Sequence, residues 1–243
     1  MNFAIVGCGL IGQKRAKALR DAGHTVLLAV DVNPDRAKAL AGQCRGASYG
    51  TDWQHVVRAP GIEAAVVATT NDWLAPVTSA AARAGKHVIV EKPAARTVRE
   101  IDEVIRAVDE AGVCVQVGFN HRYHPALQMA GELCRSNSLG SLFFLRGRYG
   151  HGGRLRYETE WRAKPEISGG GELLDQGVQL IDLARWFLGD FTKIEGHKET
   201  YFWQMAVDDN AFLSLRTSVG QTAWLHVSCT EWKNLFSLEI RSP

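Results

Sequence analysis

Three glycines near the amino terminus have the spacing of a dinucleotide-binding turn. Gly7, Gly9 and Gly12 form a Gly-x-Gly-x-x-Gly pattern directly after an apolar segment. In this pattern the first glycine permits a tight turn, the second lets the backbone approach a pyrophosphate, and the third lets a helix pack close to the sheet. Because free N–H groups at a helix N-terminus bind anions, the backbone of this turn, including Leu10 and Ile11, is predicted to hold the pyrophosphate.

An aspartate predicts which dinucleotide binds. Asp31 follows Gly12 by 19 residues and comes directly after the second apolar segment. A carboxylate at that place accepts hydrogen bonds from the ribose hydroxyls and repels a 2′-phosphate, so the predicted cofactor is NAD rather than NADP. The alternative, a glycine turn with a purely structural role, is disfavoured by the combination of strand, spacing and acid.

A lysine is the candidate for proton transfer. Lys92 follows an apolar strand pattern over residues 87–90 and precedes Pro93, so it is expected in the crevice at the carboxyl end of a parallel strand. Oxidation of an alcohol needs a group that removes the hydroxyl proton as the hydride leaves. A free lysine has a pKa of about 10.4, so a lysine base needs desolvation or a nearby cation. The alternative is a surface lysine. Glu91 is interpreted either as a cofactor contact or as a charge at the strand end.

The elements that position these residues follow from the hydrophobic periodicity. In the first half, strand and helix patterns alternate, which predicts a doubly wound parallel sheet, a Rossmann fold, over residues 1–120. The second half favours an α+β domain over residues 121–243, with a mostly antiparallel open sheet and helices on one face. Predicted helices cover residues 34–41, 74–84, 97–111, 125–135 and 173–188; predicted strands cover 63–68, 87–90, 113–118, 142–149, 194–202, 211–217, 222–230 and 236–240, with a hairpin turn at 218–221.

Composition excludes several classes of protein. The 243 residues are 46% hydrophobic and 22% charged, with a net charge of +2, which argues against disorder and against a basic surface for nucleic acid. No apolar run approaches the roughly 20 residues of a membrane-spanning helix, and the first residues have a strand pattern rather than that of a signal peptide. Five scattered cysteines without a Cys-x-x-Cys pair indicate reduced thiols, so a cytoplasmic location is expected.

Three segments together resemble the glucose–fructose oxidoreductase/inositol dehydrogenase family of sugar and polyol oxidoreductases. They are the glycine turn, the sequence Ala-Gly-Lys-His-Val-Ile-Val-Glu-Lys-Pro at 84–93, and the segment 169–182. The resemblance covers residues 2 to about 240. It implies a dinucleotide domain followed by an α+β domain whose open sheet commonly forms a subunit interface, and a small sugar or polyol as substrate. Relatives usually continue past the strand at 236–240, so the resemblance implies a shortened second domain with an exposed sheet edge.

One site segment departs from the family pattern, which resembles Asp-x-Gly-x-His-x-x-Asp. This chain has Asp175, Gly177, Gln179 and Asp182 at those places. Helical spacing puts 175, 179 and 182 on one face, so the polar stripe is retained. Glutamine exchanges no proton, unlike histidine, so Gln179 is expected to orient a substrate hydroxyl and to leave proton transfer to Lys92. A structural polar residue within a helix is the alternative.

The resemblance implies weaker roles for further residues. Thr69, Thr70 and Asn71, which follow the strand at 63–68, would lie near the ribose and nicotinamide of the cofactor. A turn at the strand end, without a role in binding, is an equal alternative. Leu74 stands where relatives often have histidine. His121 and His124 have no accompanying ligand set, so no metal site is expected. The remaining candidates for contact with the cofactor or cleft are Asn120, Arg122, Trp161 and Arg162.

The residues and the resemblance favour an NAD-dependent oxidoreductase acting on a hydroxyl or carbonyl of a sugar, polyol or derivative. Lys92 would be the acid or base, and Asp175 and Gln179 would place the substrate. Two alternatives stay open: a non-catalytic NAD-binding sensor or assembly protein, and an NAD-assisted glycosidase that oxidises its substrate transiently.

Overall fold

The computed structural model describes residues 1–136 and 138–243. The chain divides into two compact units, Met1–Gly118 and Phe119–Pro243. Among the described residues each unit contains one sheet, and the two sheets differ in strand direction.

The first unit is built on a six-stranded sheet in the order β3-β2-β1-β4-β5-β6, with every neighbouring pair parallel. This order, with two buried clusters of apolar side chains packed around the strands, confirms the predicted Rossmann fold. The strands are β1 Asn2–Val6, β2 Thr25–Val30, β3 Ser48–Gly50, β4 Ala64–Val67, β5 His87–Val90 and β6 Val115–Val117; the helices are α1 Leu10–Asp21, α2 Pro34–Gly42, α3 Gln54–Arg58, α4 Asn71–Arg83 and α5 Val98–Ala111.

Local capping explains where several of these helices begin. The Asn33 side chain accepts from the amides of Asp35 and Arg36 and so starts α2, as the sequence predicts. Thr97 caps α5 in the same way. Helix α4 begins at Asn71, three residues before the predicted start. The prediction missed these residues because Asn71 and Asp72 are polar and add nothing to the apolar periodicity. The short elements β3 and α3 were not predicted from the sequence.

The second unit is built on a five-stranded sheet in the order β11-β7-β10-β9-β8. Only the β7–β10 pair is parallel, which confirms the predicted mostly antiparallel sheet. Leu180, Ala184 and Leu188 of α8 pack against Leu145 and Leu225 of the sheet. The strands are β7 Phe144–Gly150, β8 Phe191–Glu199, β9 Asn210–Thr217, β10 Thr222–Ser228 and β11 Leu235–Arg241; the α-helices are α6 Pro125–Arg135, α7 Pro165–Ser168 and α8 Val178–Leu188.

Two sequence predictions in the second unit are wrong in part. The predicted helix over 173–188 opens with a π-helical turn, Leu173–Gly177, before α8 begins. The predicted strand over 194–202 is displaced to Phe191–Glu199. Residues 201–203 turn away because the buried Asp209 carboxylate accepts their three backbone N–H groups at 2.8–3.0 Å.

Within the described ranges, no helix combines the length and the apolar character that crossing a membrane requires.

Candidate cofactor and substrate sites

The three glycines of the turn have different surroundings. A Cβ on Gly7 would lie 2.3 Å from the Ala68 carbonyl oxygen, and one on Gly12 would lie 1.9 Å from that of Gly7. Gly7 also has a φ of +93°, which favours glycine. At Gly9, by contrast, no described atom other than those of its chain neighbours lies within 4 Å of an added Cβ. Packing of the chain therefore explains Gly7 and Gly12, whereas Gly9 borders open space of the kind that a pyrophosphate needs.

The start of α1 adds donors beside that space. Gly9 occupies the N-cap position of α1, and no side chain among the described residues caps it. The first amides of a helix lack intrahelical partners and carry a partial positive charge. Leu10 and Ile11 in this first turn are exposed. The predicted pyrophosphate site is thus compatible with the arrangement of the turn.

Asp31 links the end of β2 to the glycine turn. It is buried, its Oδ2 accepts from the Cys8 amide at 2.7 Å, and its Oδ1 accepts from the Asn33 amide at 2.9 Å. Each carboxylate oxygen keeps a further acceptor direction, so a ribose hydroxyl is also compatible with this site. Burial, together with the Asp31 charge, raises the pKa of the Cys8 thiol to about 12, so this thiol stays protonated and is not a nucleophile.

Lys92 lies in a tight turn at the carboxyl end of β5. The Ala94 amide donates to the Glu91 carbonyl oxygen at 3.0 Å, and the Lys92–Pro93 peptide is cis. The Glu91 carboxylate pairs with Arg15 of α1, at 2.5 Å between Oε1 and Nε. Lys92 therefore directly follows a glutamate whose carboxylate is paired with Arg15 of α1.

The polar cluster after β4 makes local contacts. The Thr69 hydroxyl donates to the Thr70 carbonyl oxygen at 3.0 Å, and the Thr70 hydroxyl donates to Asp72 at 2.6 Å. Asn71 is buried at the first position of α4. Leu74 is fully buried in the core of the first unit, so this position packs and does no chemistry.

In the second unit the structure brings three of the predicted residues together. Asp175 lies within the π-helical turn, and its Oδ2 accepts from Arg162 Nε at 3.1 Å. The Arg162 guanidinium lies 4.4 Å from the centroid of the Trp161 ring. Stacking and pairing hold the planar guanidinium in one orientation, so the cluster presents a carboxylate whose direction is fixed.

Gln179 is buried on α8 and contacts another predicted residue. Its Nε2 donates to Asn120 Oδ1 at 3.3 Å. Its Oε1 is buried and has no hydrogen-bond partner among the described residues. A buried amide oxygen without a donor costs about 1–3 kcal/mol, so this atom is suited to accept from a ligand hydroxyl.

The other polar residues nearby have structural partners. Arg122 makes a bidentate pair with Asp182, with both N–O distances at 2.7 Å. The His121 ring stacks on Phe236, and His124 Nδ1 accepts from the Ala126 amide at the start of α6. Among the described residues, no group of three or more His, Cys, Asp or Glu side chains is placed to hold a metal ion.

A cluster near Asp175 that no sequence pattern predicts consists of His151, Tyr157 and Glu172. His151 Nε2 lies 3.7 Å from Glu172 Oε1, and the His151 ring meets Tyr157 edge-on at 5.5 Å. The Gly153 amide donates to His151 Nδ1 at 3.0 Å, which places the proton of a neutral ring on Nε2, toward Glu172. Burial raises the pKa of Tyr157, and the charges of Glu172 and Asp175 add to the shift. These residues form no motif, so their spacing gave no signal.

Comparison with known families agrees with this architecture. Residues 1–119 match the model described as "Oxidoreductase family, NAD-binding Rossmann fold", and residues 127–241 match the "GFO/IDH/MocA C-terminal domain". The chain belongs to the GFO/IDH/MocA family of oxidoreductases. The match confirms the predicted family and the prediction of NAD as the cofactor.

Individual relatives are sugar and polyol dehydrogenases. A levoglucosan dehydrogenase of Pseudarthrobacter phenanthrenivorans is 28% identical over 214 residues, which are 83% of this chain and 54% of that protein. A scyllo-inositol 2-dehydrogenase (NAD(+)) of Bacillus subtilis is 28% identical over 203 residues, 81% of this chain and 57% of the relative. A solved structure of levoglucosan dehydrogenase with NADH and levoglucosan has a TM-score of 0.94 at 26% identity and covers 100% of this chain and 71% of that one. The chain spans about half the length of the curated relatives it matches.

Proposed function

We propose that the chain is an NAD-dependent oxidoreductase that transfers a hydride between nicotinamide and a hydroxyl or carbonyl carbon of a sugar, polyol or sugar derivative. The observation that carries the proposal is Lys92, an amine in the turn at the carboxyl end of β5, within a Rossmann unit whose glycine turn and Asp31 are compatible with NAD. The relatives named as sugar and inositol dehydrogenases support the substrate class.

The first unit supplies the residues for the cofactor and for the proton. The turn at residues 7–12 binds the pyrophosphate and Asp31 binds the adenosine ribose, while Thr69, Asn71 and their neighbours Thr70 and Glu91 border the rest of the cofactor. When bound, NAD accepts or delivers the hydride. Lys92 removes the proton from the substrate hydroxyl during oxidation and returns it during reduction, so that the oxygen carries no net charge in the product.

The second unit supplies the residues that place the substrate. Asp175, held by Arg162 and Trp161, accepts from one hydroxyl. Gln179 accepts from another through its Oε1, the atom that has no donor among the described residues, while its Nε2 stays on Asn120. Because an amide exchanges no proton near neutral pH, Lys92 carries the proton transfer alone.

A substrate panel tests the proposal. Purified protein is mixed with NAD and a set of sugars, inositols and anhydrosugars, and NADH formation is followed by absorbance while calorimetry measures NAD binding. Turnover of at least one compound is expected. A mock purification from cells without the gene serves as the control for contaminating dehydrogenases, and turnover above that blank in Lys92→Ala would reject the assigned role of Lys92.

One observation favours a second candidate function, a non-catalytic NAD-binding protein. The buried amide of Gln179 stands where the family pattern has a titrating histidine. On this alternative the panel gives NAD binding without NADH formation, and product analysis with glycosides also finds no cleavage. Turnover of any one substrate contradicts the alternative.

A further inference from the structure

A carboxylate distant in sequence holds the segment that carries Asp175. Asp208 precedes β9, and its side chain is only 3% exposed. Its Oδ1 accepts from the Gly171 amide at 3.3 Å and its Oδ2 from the Leu173 amide at 2.8 Å. Its own carbonyl oxygen accepts from the Glu172 amide at 2.9 Å. One residue thus binds three successive amides at the start of a helical segment.

These contacts act as a helix cap supplied from another part of the chain. The first amides of a helix have no intrahelical acceptor, and leaving one buried and unpaired costs about 1–3 kcal/mol. A carboxylate also interacts favourably with the positive end of the helix dipole. Lys198 Nζ, 3.0 Å from Asp208 Oδ1, balances the buried charge. The backbones of Gly171 and Asp208 also lie close together, since a Cβ on Gly171 would lie 1.9 Å from the Asp208 carbonyl oxygen.

The capped segment leads directly into the π-helical turn, Leu173–Gly177. On the other side of that turn, Leu180 and Ala184 of α8 are fully buried in the core of the second unit. Both ends of the turn are therefore fixed, one by Asp208 and the other by packing. Asp175 lies in the middle of the turn, so its direction relative to Gln179 depends on both anchors. A turn that relaxed by one residue to α-helical geometry would rotate Asp175 by roughly 100°.

We propose that Asp208 is a positioning residue: by capping this segment it holds the π-helical turn, and so keeps Asp175 and Gln179 in the relative orientation that places the substrate. The inference rests on the proposed function, in which those two residues bind substrate hydroxyls. Asp208 itself touches neither substrate nor cofactor.

The test compares Asp208→Asn and Asp208→Ala with a matched control, Lys198→Gln. The alanine variant should lower kcat/KM about 10²-fold, the cost of a small misplacement in an active site. The asparagine variant keeps an acceptor and should lose less. NAD affinity should stay at the wild-type value in all three proteins. Lys198→Gln removes the ion pair but leaves the Asp208 carboxylate to accept from the Gly171 and Leu173 amides, so its kcat/KM should fall much less than that of Asp208→Ala.

Hydrogen exchange reports on the cap independently of activity. The amides of Gly171, Glu172 and Leu173 should lose protection in the Asp208 variants and keep it in Lys198→Gln. Gly171→Ala displaces Asp208 without altering its carboxylate and should reproduce the loss of kcat/KM, so the inference stays testable if the alanine variant does not fold.

The two proposals fail in different ways. Exposed amides with unchanged kcat/KM in Asp208→Asn and Gly171→Ala overturn the positioning role alone, as does an equal loss in Lys198→Gln. A wild-type protein that turns over no compound of the panel overturns the proposed function, and the positioning role falls with it.

Discussion

In the first unit the glycine turn and Asp31 belong to one βαβ unit, whereas in the second unit Gln179 and the start of the helical segment that carries Asp175 contact partners far away in sequence. The Cys8 amide and Asp31 belong to one βαβ unit and meet at 2.7 Å. Gln179 contacts Asn120, 59 positions away, and Leu173 contacts Asp208, 35 positions away. A local motif therefore specifies the first site, while the second requires the complete fold of its unit.

Removing the amine of Lys92 should lower kcat more than any other proposed substitution. This result would show that a residue of the first unit transfers the proton. Lys92→Ala is expected to lower kcat about 10³-fold, within the range of general acid–base catalysis, and to leave NAD affinity nearly unchanged. Steady-state kinetics and calorimetry measure the two quantities. Unchanged turnover would remove Lys92 from the mechanism.

The glycine turn allows a matched pair of variants. Gly12→Ala forces a Cβ against the Gly7 carbonyl oxygen and should destabilise the fold by about 1–3 kcal/mol, seen as a lower Tm. Gly9→Ala meets no described atom beyond its chain neighbours and should leave Tm unchanged, yet weaken NAD at least about tenfold because its methyl group fills the space for the pyrophosphate. Equal NAD affinity in Gly9→Ala and the wild type would contradict the assigned site.

Gln179→His tests whether the second unit can also take part in proton transfer. A histidine has a pKa of about 6.5 and exchanges protons near neutrality, so kcat/KM should rise about tenfold at neutral pH and acquire a new ionisation in its pH profile. The double variant with Lys92→Ala shows whether the two residues act on the same step, since coupled residues give non-additive effects. A fall in rate would show that glutamine is the functional residue here.

His226, in the sheet of the second unit, should give the smallest effect. Burial lowers its pKa, the Glu231 charge opposes the shift and the Arg148 charge adds to it. Because the folded state favours the neutral ring, stability is complete above the ordinary pKa of about 6.5 and decreases as the pH falls from there toward the lowered value. His226→Gln should therefore reduce the loss of Tm between about pH 8 and pH 5. An identical loss in the variant and the wild type would contradict this.

The same contrast explains what sequence analysis could predict. Glycine spacing, the acid after β2, the Asn33 cap and the β5 strand are local patterns, and the structure has the turn, the cap and the strand where they were expected. The π-helical turn was not predictable, because the contacts that flank it, with Asp208 on one side and in the core of the unit on the other, exist only in the folded unit. The strand error at residues 201–203 has the same origin, since a buried aspartate captures those amides.

The ion pair between Arg15 and Glu91 has a mechanical consequence for the first unit. Arg15 belongs to the helix that starts at the glycine turn, and Glu91 is the residue before Lys92. Strand order alone would connect these two places through β1, β4 and β5. The ion pair replaces that route by one direct contact, so α1 is tied to the residue before Lys92 without an intervening strand.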